Sequence, residues 1–66
     1  MTFAYYPLRF SDYSEALKTA QEESIEHKDW FVYLIRNNGG GYIVDFQGVA
    51  YSDETIIMCL KEGQRL

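Results

Sequence analysis

The chain has 66 residues and a mass of 7.7 kDa, enough for one small domain over 1–66 and no second. It is 47% hydrophobic, 17% aromatic and 24% charged, which excludes intrinsic disorder, and its longest apolar run, Trp30 to Ile35, is far too short to cross a bilayer. A net charge of −4 argues against binding nucleic acid through phosphates, and one cysteine with one histidine makes neither an internal disulfide nor a structural zinc site.

The opening MTFAYYPLRF lacks the charged start and long apolar run of a secretory signal, so the sequence predicts a soluble, cytoplasmic domain. Residues 2–10 are rich in β formers and read as a first strand, at an edge or interrupted at Pro7, because proline cannot donate to a ladder. The stretch from Ser11 to His27 is an amphipathic helix. Asp12 or Ser11 serves as N-cap, with Glu15 in the first turn. At helical spacing, Tyr13, Ala16, Leu17, Ala20, Ser24 and His27 share one face, and Glu15, Lys18, Glu22 and Glu26 share the other.

WFVYLIR (30–36) and YIVDFQ (42–47) read as strands joined by Asn37-Asn38-Gly39-Gly40-Gly41, a hairpin turn of residues that tolerate positive φ. The last segment carries two signals. Ser52-Asp53-Glu54 resembles a helix start and Glu62-Gly63 a helix end, whereas Thr55 to Leu60 has strong β propensity and no polar face. The caps favour a short helix over about 53–62. The expected fold is α+β: an antiparallel sheet of about three strands with one long helix, in the order β-α-β-β, plus a short C-terminal helix or strand.

No grouping of residues matches a chemical motif. Cys59 sits among aliphatic neighbours, which suits a buried small hydrophobe better than a reactive thiolate. His27 falls at a helix end, where capping or packing beside Trp30 explains it. Gly39-Gly40-Gly41 opens into a strand and lacks the lysine and hydroxyl of a phosphate loop. Asp45, Asp53 and Glu54 lack the spacing of a calcium loop. Gly41 to Phe46 echoes the aromatic strand of RNA-recognition modules but lacks the leading basic residue and carries an acid. The expectation is a protein with no catalytic residues, no cofactor and no metal.

Two features point to binding. Residues 12–29 hold six acids and two bases, while the rest of the chain holds four of each, so the whole net charge belongs to one helix and its flank. In WFVYLIR, Trp30, Val32 and Leu34 point one way and Phe31, Tyr33 and Ile35 the other, and both sets are apolar. One helix covers one face; unless the C-terminal segment covers the second, tyrosine-rich surface stays open.

In scale, acidic helix and β-α-β-β order the chain resembles small accessory proteins of phages and mobile elements, including anti-CRISPR inhibitors. The resemblance spans the chain in outline and assigns no residue a role. With two surfaces able to bind and no catalytic grouping, the leading expectation is a non-enzymatic, stoichiometric inhibitor that occludes a basic surface of a larger nucleic-acid-handling protein. The residues themselves nominate Glu15, Glu22 and Glu26 for the charged contact and Tyr5, Phe31 and Tyr33 for the apolar one, with no contact to nucleic acid or membrane. The alternative is a small homo-oligomer, a homodimer through the aromatic sheet face.

Overall fold

A computed structural model of the chain describes residues 6–46 and 48–66. Tyr5, the first part of the expected strand over 2–10, and Gln47 lie outside the described residues. Strand β1 (Leu8–Phe10) begins directly after Pro7 and forms one edge of the sheet, so the missing proline N–H interrupts no ladder. Helix α1 (Tyr13–Glu26) follows. Asp12 is its N-cap: the backbone there is extended, and the carboxylate accepts the Glu15 N–H at 3.0 Å. His27 ends the helix by donating its own N–H to the Glu23 carbonyl at 2.9 Å.

The buried residues of α1 are Ala16, Ala20 and Ser24, all small, which lets the helix axis approach the strands closely. Leu17 packs half-buried against the core and Tyr13 sits at its margin, its ring edge-on to Tyr42 at 5.4 Å. Ser24 is fully buried and fully used. Its hydroxyl donates to the Gln21 carbonyl and accepts the Gly63 N–H, both at 2.8 Å, which ties the helix to the far end of the chain.

Strands β2 (Val32–Arg36) and β3 (Tyr42–Asp45) form the predicted hairpin. Its turn needs left-handed backbone at Gly40 (φ 107°) and Gly41 (φ 80°). A β-carbon on Gly41 would also stand 2.5 Å from the Phe10 carbonyl oxygen, so the residue is glycine on two counts.

The C-terminal segment is a strand pair, which corrects the expected helix over 53–62. Residues 53–55 form a turn in which the Thr55 N–H and hydroxyl both bond the Ser52 carbonyl, at 3.0 and 2.8 Å. Strand β4 (Ile56–Lys61) then pairs antiparallel with β2. The pairing shifts between Leu34 and Ile35, where Met58 opposes one and Ile56 the other, leaving Ile57 as an extra residue. That bulge breaks the period-two signal that would have marked the strand. Glu62-Gly63, read as a helix end, is a two-residue hairpin turn with both φ positive, 53° and 80°, leading into β5 (Gln64–Arg65).

Among the described residues the architecture is one α-helix on a five-stranded antiparallel sheet of order β1-β3-β2-β4-β5. The expected α+β class holds, with two more strands than expected. Val32, Leu34, Val44 and Leu60 face α1 and form the core with Ala16 and Ala20. Across the sheet, Ile35, Ile43 and Asp45 are also buried, although α1 lies on the other side. The β3–β4 connection covers them: its 3-10 turn at Gly48–Ala50 rests on Tyr33, and the Tyr51 hydroxyl bonds Asp45 at 2.9 Å. The second face is therefore closed in part by a loop, where the sequence left a choice between the C-terminal segment and open surface. No helix among the described residues is long and apolar enough to cross a membrane.

Leu34, fully buried on the central strand, marks the heart of the core. Leu34→Ala should cost about 2–5 kcal/mol, and Leu17→Ala distinctly less because its site is half-buried. Urea unfolding of the two variants checks the order; equal losses would mean that α1 buries Leu17 as deeply as the sheet buries Leu34.

Candidate protein-binding surfaces

Glu15, Glu22 and Glu26 are all exposed on α1. At positions i, i+7 and i+11 they fall within about 40° of arc and run about 16 Å along the helix. Neighbouring Glu23 accepts a hydrogen bond from the Tyr6 hydroxyl, just before β1, which ties the flank of α1 beside the stripe to the start of that edge strand. Burial and the bonded Glu23 carboxylate hold the Tyr6 phenol well above its ordinary pKa.

The stripe ends beside an aromatic cluster. The Trp30 ring is sandwiched between the His27 imidazole (3.8 Å between ring centres, 14° apart) and the Phe46 ring (4.4 Å, 22°). Tyr6 stands edge-on to Trp30 at 5.6 Å and to Phe46 at 5.2 Å. His27 therefore does what its place at a helix end and beside Trp30 predicted, with its Nε2 3.8 Å from a Glu23 carboxylate oxygen. Glu23, Glu26 and His27 bring one donor atom each within 4.8 Å of one another, the one grouping among the described residues with the spacing of metal ligands. One carboxylate oxygen of Glu23 in this grouping already accepts the Tyr6 hydroxyl.

Of the apolar candidates, Tyr5 lies outside the described residues, and Phe31 and Tyr33 share the sheet face away from α1. Phe31 is 47% exposed, with the Lys61 ammonium 5.0 Å from its ring centre. Tyr33 is half-buried, because Gly48 lies on its ring so closely that a β-carbon would overlap it. An open groove of about 440 Å³ runs along Phe31, Tyr33, Phe46 and Val49, with Asp29 on its rim. Val49 is 98% exposed.

The acidic stripe and the Phe31–Tyr33 pair thus lie on opposite layers and do not form one footprint. Tyr6, bonded to Glu23 beside the stripe, is an aromatic residue that sequence reasoning did not nominate. Its signal was the apolar and aromatic character of the segment before Pro7, but nothing in the spacing joined it to Glu23. Cys59 lies opposite Tyr33 in the register, on the face away from α1, and burial pushes its thiol pKa up.

The raised Tyr6 pKa carries a pH signature. The proton is held more tightly in the folded state than in the unfolded one, so the stabilisation is complete below pH 10 and is lost as pH rises above it. Tyr6→Phe should cost about 1–2 kcal/mol at pH 7. It should also flatten the fall in Tm between pH 9 and pH 11. Equal alkaline losses in both proteins would show that Tyr6 contributes no such term.

No known protein family, no curated protein and no solved structure matches this chain.

Proposed function

We propose that this protein is a non-enzymatic, cytoplasmic binding module. It acts stoichiometrically by laying the acidic flank of α1 against a basic surface of a larger nucleic-acid-handling protein. The carrying observation is the confinement of the net charge to residues 12–29, with Glu15, Glu22 and Glu26 exposed in one stripe. The non-enzymatic reading is supported by the place of Cys59, on the sheet face away from His27, where burial pushes its thiol pKa up. With Phe31 and Tyr33 on the other layer, the apolar part of this contact falls to the half-exposed Tyr6 and the rim of its aromatic cluster.

The stripe alone does not supply affinity, because an exposed ion pair contributes only about 0–1 kcal/mol. Its effect is on encounter: carboxylates along about 16 Å of helix attract a basic surface and accelerate association, strongly so at low salt. Dissociation is set by the apolar part.

The test starts from the protein retained from a host lysate by the immobilised chain. It should be a nucleic-acid-binding protein released by salt. The triple variant Glu15→Lys, Glu22→Lys, Glu26→Lys keeps good helix formers throughout. At low salt it should associate with the captured partner at least about tenfold more slowly than the wild type, with an unchanged helical signal. Association at the wild-type rate would reduce the stripe to a solvated helix face.

A further inference from the structure

The groove beside Tyr33 shares Trp30 and Phe46 with the aromatic cluster, and the rest of its apolar lining, Phe31, Tyr33, Gly48 and Val49, belongs to the layer away from α1. One wall is Val49, which the 3-10 turn at Gly48–Ala50 holds almost wholly in solvent. The floor and opposite wall are the rings of Phe31, Tyr33 and Phe46. A flat aromatic ligand would need a free ring face, and few are free. Trp30 is sandwiched on both sides, Gly48 lies on Tyr33, and Lys61 stands over Phe31. What the groove presents is a largely aromatic lining with one exposed aliphatic knob, Val49, at its wall.

We propose that two copies of this chain pair through their outer sheet faces about a two-fold axis, with Val49 of each copy entering the groove of the other. A knob beside a hole on one surface is complementary to itself under a two-fold rotation, the geometry of an isologous dimer. Charge selects the same face. The helix segment 12–29 carries the full net charge of −4, so contact through α1 would set like against like. The remainder of the chain has four acids and four bases and is neutral in sum. At the groove itself Asp29 lies on the rim and Lys61 over Phe31, so each copy brings both signs to the contact. A stable dimer needs roughly 800 Å² from each partner, about one-sixth of the 4687 Å² that the chain exposes. A contact of that size extends beyond the groove onto the surface around it. The dimer would carry its two acidic helices on opposite outer sides.

Sedimentation equilibrium from micromolar concentrations to about 1 mM tests this, on the wild type, Val49→Glu and Ile25→Glu. Val49 is 98% exposed, so its replacement should leave circular dichroism and Tm unchanged. Ile25, 56% exposed on α1, is the control on the other layer. The expected result is a mass approaching twice 7.7 kDa for the wild type and Ile25→Glu. Val49→Glu should dimerise at least about tenfold more weakly, because a buried unpaired carboxylate opposes the contact. A wild type that stays monomeric at the highest concentration would overturn the proposal. So would a Val49→Glu variant that dimerises as the wild type does.

Discussion

Strand β2 is apolar on both faces, and the rest of the structure follows from covering it twice. Val32 and Leu34 turn to one side and Tyr33 and Ile35 to the other; Val32, Leu34 and Ile35 are at most 1% exposed. A chain of 66 residues with no disulfide has little material for two covers. It spends fourteen residues on a helix for one face and leaves the other to a short connection. That connection succeeds because Gly48 has no side chain and can lie directly on the Tyr33 ring. It is pinned again where Tyr51 bonds the buried Asp45; burial, and then that bond, push the Tyr51 phenol pKa up.

The unequal covers give the molecule two unlike surfaces. The helix cover carries the net charge, because small residues line its buried side and acids crowd its outer one. The loop cover is incomplete, so Phe31 and Val49 remain exposed beside a groove. Between them, at one end of the sheet, Trp30 is locked by His27 and Phe46, with Tyr6 joining the cluster to Glu23. A charged surface that speeds encounter and an apolar surface that holds are both ingredients of binding, but here they face opposite ways. A single partner reading both would have to wrap the domain.

Local signals made much of this legible. Asp12, the spacing of Ala16, Ala20 and Ser24, and the closing His27 define α1 within a residue at each end. Alternation in WFVYLIR and the glycines after Asn38 define the β2–β3 hairpin. The C-terminal strands were hidden for a physical reason. The bulge at Ile57 spoils the alternation, and a Ser-Asp-Glu turn and an Glu-Gly hairpin use the same residues as helix caps. Among the binding candidates, exposure of Glu15, Glu22 and Glu26 was readable from helical period, and the shared face of Phe31 and Tyr33 from strand period. The approach of Gly48 to Tyr33 and of Tyr6 to Glu23 depends on contacts between distant segments, for which the sequence has no local sign.

The close seat of Gly48 on Tyr33 is what holds the partial cover on the outer face of β2. Gly48→Val tests it most directly, with residue-resolved hydrogen exchange read beside Tm. Overpacking of this kind costs about 1–3 kcal/mol, or at least about 4 °C in a domain of this size. Exchange should quicken at the amides of Ile43 to Asp45 and in the connection before it quickens in α1. A variant with the Tm and exchange pattern of the wild type would contradict the account.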